Sequence, residues 1–144
     1  MTDSPLFRPF TARGLTLPNR LVVAPMCQYS VTDGFVGDYH LVHLGRFALG
    51  GFGLVIVEAT GVTADGRISH GDVGLWSDEH IPGLARVAEF LHSSGAAAGI
   101  QLSHAGNKAS SRRPWDGGGP VSRPGRRCRP APSRWGRGGR PRTR

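Results

Sequence analysis

The 144-residue sequence has only two cysteines, Cys27 and Cys128, too few for a disulfide framework. It has no apolar run near the ~20 residues that cross a bilayer as a helix, so no membrane span is expected. Its start, Met1-Thr2-Asp3-Ser4-Pro5, has no basic segment followed by an apolar one, and no secretory signal is expected. Together these absences favour a cytoplasmic protein. No Gly-x-Gly-x-x-Gly follows the first apolar run, which disfavours a dinucleotide-binding Rossmann unit. Acid is missing too, but only locally. Residues 117–144 hold nine arginines and no Asp or Glu, which leaves nine basic against ten acidic groups in residues 1–116. The net charge of +8 therefore belongs to the last 28 residues. The nearly neutral first part and the basic second part need separate explanations.

The first part is organised around Leu21 to Tyr29. Leu21, Val22, Val23 and Ala24 read as a short buried strand between Pro18-Asn19 and Pro25, because proline cannot donate to a sheet ladder. Met26, Cys27, Gln28 and Tyr29 follow: a thioether, a thiol, an amide and a phenol. In parallel α/β barrels, sites lie at the carboxyl ends of strands. A lone cysteine is most often a small buried hydrophobe, and a tyrosine after a strand often only packs, so these nine residues leave both readings open.

The remaining elements alternate. Phe7 to Leu17 reads as a short hairpin or a lead-in loop, with Gly14 between its halves. Asp33-Gly34 marks a turn, Asp38 is placed to cap a helix over Tyr39 to Leu49, and Gly50-Gly51 stops it. His40 and His43 lie three apart on that helix with no third ligand nearby, so no metal site is expected. Gly53 to Val57 is a continuous apolar strand, ending in Glu58-Ala59-Thr60-Gly61. Val62 to Trp76 is a long glycine-rich loop. Ser77 caps a second helix whose buried face is Ile81, Leu84, Ala85, Val87, Ala88 and Leu91, with Gly95 at its end. Ala96 to Leu102 is a third strand, followed by the polar stretch from Ser103 to Ala109. Strand, helix, strand, helix, strand is the order of a parallel α/β fold, with right-handed crossovers.

Several pieces stand in a recurrent order: Leu17-Pro18-Asn19-Arg20, Ala24-Pro25-Met26-Cys27-Gln28-Tyr29, Glu58-Ala59-Thr60, Gly66-Arg67-Ile68-Ser69, Gly74-Leu75-Trp76-Ser77-Asp78, and Gln101-Leu102 with His104-Ala105-Gly106. Through them residues 4 to about 119 resemble the N-terminal part of the Old Yellow Enzyme family. The nearer likeness is to the bacterial branch of xenobiotic reductases and thermophilic-like ene-reductases. The resemblance implies an α/β fold, about the first three strands of a (β/α)8 TIM barrel. It implies FMN as cofactor, NADPH or NADH as hydride donor, and an unsaturated carbonyl-type substrate whose activated C=C bond is reduced. Ala24, Pro25, Met26 and Cys27 would border the flavin, Ala59 would offer backbone contacts, and Gln101 would bond the pyrimidine edge. Cys27 would tune the flavin, since polarity near the ring shifts its electron affinity. Tyr29 would line the substrate pocket and donate to a carbonyl. An intact enzyme of this kind would be a homo-oligomer. Asn107 departs from the arginine common in this branch.

The family's substrate-binding histidine pair, its flavin-facing arginine and its phosphate-gripping loops belong to later strands, and the likeness stops near Pro120. Residues 1–119 then read as a truncated FMN-binding barrel segment and 120–144 as a tail. Arg, Pro and Gly make up 21 of residues 117–144, with no apolar periodicity, so disorder is expected there. Three origins compete: an out-of-frame translation of a GC-rich gene, an Arg-rich arm that binds nucleic acid with Trp135 stacking, or a solvated tail. The abrupt shift in composition favours the first, which makes the chain an inactive fragment and leaves a nucleic-acid partner as the alternative.

Overall fold

The computed structural model describes residues 4–121. A 3-10 turn at Pro5–Phe7 leads into an antiparallel hairpin, β1 (Phe10–Ala12) and β2 (Leu15–Leu17). Of the two readings of this segment the hairpin is the one that forms, and Arg13 in its turn is left-handed (φ 53°). The main sheet has three parallel strands in the order β3 (Val22–Val23), β4 (Leu54–Gly61), β5 (Ala97–Ser103). Helices α1 (Asp38–Leu49) and α2 (Ile81–Ser93) form the two crossovers. The basic tail from Ser122 onward, including Cys128 and Trp135, lies outside the described residues, with every reading placed on it.

One cluster ties these elements together. Val23, Val55, Val57 and Ala96 of the sheet layer pack with Leu44, Ala48, Val87 and Leu91 of the helices. Val55 and Leu91 are fully buried. The helices meet closely at Gly45, where a Cβ would come within 2.6 Å of the Phe90 ring.

β3 is shorter than the sequence pattern, two residues in place of Leu21 to Ala24. The reason lies on either side. Asn19 Oδ1 accepts from the Leu21 and Gly53 amides (3.0 and 3.1 Å), and its Nδ2 donates to the Gly51 carbonyl (2.8 Å). Hydrogen bonds at Leu21 thus go partly to the α1–β4 turn, and Pro25 ends the ladder from the other side. The Pro18-Asn19 pair marks this staple.

Three further expectations are corrected. β4 runs through Gly61 rather than stopping at Val57, because the far loop returns to it: Gly61 donates to the Val73 carbonyl (2.8 Å) and Leu75 donates to the Gly61 carbonyl (2.9 Å). Asp38 does not cap α1. Gly37 is the N-cap without a side-chain bond, and Asp38 sits in the first turn, paired with Arg86 of α2 at 2.6 Å. Of the expected apolar face of α2, only Val87 and Leu91 are buried, while Ile81 is 50% exposed. Ser77 does cap, its hydroxyl accepting from the Glu79 amide (3.4 Å), but it opens a 3-10 turn (Asp78–His80) that runs into α2.

The Asp33-Gly34 turn forms as read. Both residues are left-handed (φ 50° and 84°), the condition for a type I′ turn. His80 Nε2 hydrogen-bonds the Asp33 carbonyl (3.0 Å), fixing the turn against the start of α2.

Candidate active site

The carboxyl ends of β3, β4 and β5 lie side by side, and most of the chemistry-bearing residues collect there. Residues paired across a sheet share a face. Leu54 pairs Ala97 and Ile56 pairs Gly99, on the face away from the helices. Val55 pairs Ala98 and Val57 pairs Ile100, on the helix face. Regular alternation would next pair Glu58 with Gln101. Instead the register shifts, and Ala59 pairs Gln101. Glu58 is the extra residue of a β-bulge.

The bulge sorts two neighbouring side chains to opposite destinations. Glu58 turns into the protein and is 2% exposed, with Oε2 3.6 Å from Nε2 of His40, itself 1% exposed. Ala59 takes the face away from the helices, beside Gln101, and is itself buried at 7% exposure. Glu58 Oε1 and both His40 nitrogens have no hydrogen-bond partner. A buried polar pair of this kind resists separation, because removing one member strands the other. The Thr60 hydroxyl donates to the Glu58 carbonyl (2.9 Å) and secures the same kink.

Across from the bulge stands the Ala24–Tyr29 segment. Met26 is half exposed, Ala24 exposed, and Pro25, Cys27 and Tyr29 partly buried. The Gln28 amide donates to the Met26 carbonyl (2.8 Å) and accepts from the Tyr39 hydroxyl (2.9 Å), which joins this segment to α1. Burial pushes the Cys27 thiol above its ordinary range, and the charges of Glu58 and Asp72 push the same way. Hydrogen bonds from the Ala59 backbone and the Tyr29 side chain oppose that rise. The sulfur therefore sits between β3, the bulge and Tyr29. Burial also raises Tyr29, with Cys27 and Asp72 adding to it.

Tyr29 is held in a left-handed conformation (φ 52°), uncommon for a bulky residue. The long loop holds it there. Val31 donates to the Gly71 carbonyl (3.2 Å), and a Cβ on Gly71 would strike the Tyr29 carbonyl. Asp72, 2% exposed, knots that loop by accepting from the Ile68 amide (2.7 Å) and the Ser69 hydroxyl (2.9 Å). Burial raises its carboxyl. On its other side Tyr29 meets Trp115 edge-on, centroids 5.9 Å apart, and the Arg113 guanidinium lies over Trp115.

Cys27, Tyr29 and Ala59 are thus brought into one neighbourhood, with Gln101 beside Ala59 on the face away from the helices. The exposed Gln101 amide has no partner among the described residues, so its donor and acceptor are both free to meet a ring edge that has both. These residues fit one side of a flavin. His40, Glu58, Asp72 and Trp115 were not foreseen as part of this neighbourhood. An acid directly after an apolar strand, in the piece Glu58-Ala59-Thr60, was the available signal for Glu58. Among the described residues, no three His, Cys, Asp or Glu side chains cluster as metal ligands. No helix there is long and apolar enough to cross a membrane.

Comparison with known proteins agrees with this geometry. The profile of the NADH:flavin oxidoreductase / NADH oxidase family matches residues 5–125. An NADH:flavin oxidoreductase of Gibberella zeae is 54% identical over 76% of this chain and 27% of its own length. An NADPH dehydrogenase of Geobacillus thermodenitrificans is 54% identical over 72% of this chain and 31% of its own length. The chain thus spans about a third or less of these curated relatives. Among solved structures, morphinone reductase in complex with tetrahydroNAD superimposes with a TM-score of 0.68 at 30% identity, over 75% of this chain and 29% of that one. The Old Yellow Enzyme from Pichia does so with 0.69 at 26% identity, over 76% and 29%. The three parallel strands and two crossovers are the N-terminal part of the barrel in those structures. The chain belongs to the NADH:flavin oxidoreductase / NADH oxidase family and shares its fold with the Old Yellow Enzymes.

Proposed function

We propose that residues 4–121 form the N-terminal part of an FMN-dependent NAD(P)H oxidoreductase that reduces activated C=C bonds of unsaturated carbonyl-type substrates. FMN, when bound, supplies hydride transfer between the nicotinamide and the alkene. The residues of this chain position and tune. The Gln101 amide bonds the pyrimidine edge. Ala24, Pro25 and Met26 border the ring with small or flexible side chains, and Ala59 offers backbone groups. The Cys27 thiol sits at the ring's border as a neutral, polarisable group, because burial disfavours its thiolate. The Tyr29 hydroxyl donates to the substrate carbonyl, drawing electron density from the conjugated alkene. Burial raises its pKa and so weakens its acidity, which keeps that proton in place at neutral pH.

The observation that supports this reading most is the bulge, which sets the buried Ala59 and the exposed Gln101 on the same face of the sheet, next to Cys27. By itself the 144-residue chain is expected to bind FMN weakly and to lack reductase activity, since the family's phosphate loops lie on later strands. The test is a chimera in which residues 5–121 replace the matching segment of the Geobacillus NADPH dehydrogenase. It should purify yellow and oxidise NADPH with cyclohexenone. Tyr29→Phe in that chimera should lower turnover roughly 10²-fold, and Gln101→Ala should loosen FMN. A folded chimera that stays colourless would sink the proposal.

A further inference from the structure

Beyond β5 the chain passes a 3-10 turn at Gly106–Lys108 and then doubles back on itself between Ser110 and Val121. Arg112 donates to the Gly119 carbonyl (2.8 Å) and Val121 to the Ser110 carbonyl (2.8 Å), which closes a narrow strap. Its reversal runs through Gly117, Gly118 and Gly119, all at positive φ (92°, 60° and 73°), where other residues are strained. Its root is tied to the long loop, because Ser110 donates to the Arg67 carbonyl (3.2 Å) and Ser111 to the Ile68 carbonyl (2.7 Å). No residue of the strap is buried, so it has no core of its own. Two of its side chains reach Tyr29. Trp115 meets the phenol edge-on at 5.9 Å while staying 60% exposed. Arg113 lies over the Trp115 ring (5.4 Å to its centroid) and its Nε donates to Asp116 Oδ2 (2.7 Å). The Arg113 Cδ also stands 3.0 Å from where a Cβ on Gly71 would sit, and Gly71 is the residue pressed against the Tyr29 carbonyl. The strap therefore meets Tyr29 at its ring, and through Gly71 at its backbone.

We propose that the strap 110–121 is a clamp on Tyr29, with Trp115 as the positioning residue whose indole holds the phenol in its left-handed pose. The inference rests on the proposed function only in calling Tyr29 the donor to substrate. A left-handed bulky residue persists only where its surroundings over-determine it. The Val31–Gly71 bond fixes the Tyr29 backbone, but a backbone bond leaves the ring free to turn about its side-chain torsions. Trp115 removes that freedom. A tryptophan that served only to anchor the strap would be covered by it, whereas this one leaves most of its surface in solvent. Placing a donor to within a fraction of an ångström is what such a contact contributes to a reaction, so Trp115 acts through Tyr29. The charged and titratable groups that face the phenol are Cys27 of its own segment, Glu58 of β4 and Asp72 of the long loop. None of them belongs to the strap, so removing the indole changes the cover over the phenol and leaves those groups in place.

The test uses the full 144-residue chain with isotope-labelled tyrosine, the Tyr29 signals being assigned by their loss in Tyr29→Phe. In Trp115→Ala the Tyr29 ring signals should lose the ring-current displacement caused by the indole. The phenol should titrate lower than in the parent chain, because burial is the main cause of its raised pKa. Exchange of the Val31 amide should speed up about two- to tenfold, the scale of one aromatic pair. Trp115→Phe should restore most of the titration and of the exchange protection. Arg113→Ala, which removes the guanidinium over the indole, should move all three readings the same way by less. Amide exchange of Val55 and Val57 in the core should stay unchanged in every variant. A Tyr29 titration unmoved in Trp115→Ala overturns the proposal. So does loss of core protection in that variant, which would make Trp115 a residue of the fold at large. No flavin enters these measurements. A chimera that stays colourless therefore counts against the proposed function and leaves the clamp standing, and an active chimera does not rescue a Tyr29 indifferent to Trp115.

Discussion

β4 and β5 run side by side in the same direction, eight and seven residues long, yet their fates differ. From Val57 to Gly61 β4 is buried at every position, while Ile100, Gln101 and Leu102 of β5 are exposed. Composition does not explain this, because both strands carry aliphatic residues toward the helices. Position does. β4 has a strand on each edge and helices over one face, and loop 62–76 closes over its end. β5 has a neighbour on one edge alone among the described residues. The burial of a strand is a property of what surrounds it, and the same residues carry core weight on one side of the sheet and little on the other.

The sharpest way to break this comparison is to truncate one leucine on each side. Leu91, fully buried on the inner face of α2 against the sheet, should cost about 2–5 kcal/mol as Leu91→Ala, through lost transfer energy and a residual cavity. Leu102→Ala, at 59% exposure, should fall within about 0.5 kcal/mol of the parent. Urea midpoints for the two variants decide it. Equal costs would mean that the outer face of β5 is covered in solution.

A second difference is the bulge, which β4 has and β5 answers only in register. His40→Leu should cost about 3 kcal/mol or more, because Glu58 is then left buried without a partner. Adding Glu58→Leu should recover a good part of that loss, giving strongly non-additive single and double variants. Gln101→Leu, directly across the sheet, should change stability little. Simple additivity at His40 and Glu58 would show that the pair does not hold the bulge.

The pattern of elements was legible because it rests on local signals: apolar runs, Asp33-Gly34, Ser77 and the glycines after each helix. The candidate site was legible through the family motifs around Cys27, Ala59 and Gln101. What escaped depends on distant partners. The end of β4 is fixed by a loop a dozen residues on, and the shortness of β3 by the three bonds of Asn19. Asp38 has the chemistry of a cap, yet the backbone starts the helix one residue earlier and turns its carboxylate to Arg86. The partial burial of α2 follows from its outer flank having no element packed on it among the described residues, which its helical periodicity does not encode.

The site end of the sheet can be probed through the thiol. In a Cys128→Ser chain, alkylation of Cys27 should be slower at neutral pH than that of a free thiol. Its rate should keep climbing past pH ~8.5, where free thiols are half ionised, because burial raises its pKa. Tyr29→Phe removes a bond that favours the thiolate and should move the profile further up. The linked stability has a definite sign. A thiol raised by folding favours the protonated form, so its contribution is present at neutral pH and declines as pH rises beyond the ordinary thiol range. A profile matching that of a free cysteine would place Cys27 in water rather than between β3 and the bulge.

The smallest effect belongs to the surface between the helices. Asp38 and Arg86 meet at 2.6 Å, but are 82% and 60% exposed. Water screens such a pair, and its coupling should be below about 1 kcal/mol in a double-mutant cycle, shrinking further in high salt. This separates two roles for Asp38. As a helix cap it would lose about 1 kcal/mol on Asp38→Ala whether or not Arg86 is present. As the partner of Arg86, with a modest first-turn interaction with the helix dipole, its loss should be smaller and partly absent in an Arg86→Ala background. A loss independent of Arg86 and of salt would restore the capping role. A dependent one would show that α1 and α2, joined firmly through Gly45 and Phe90 in the core, need little from the charges above it.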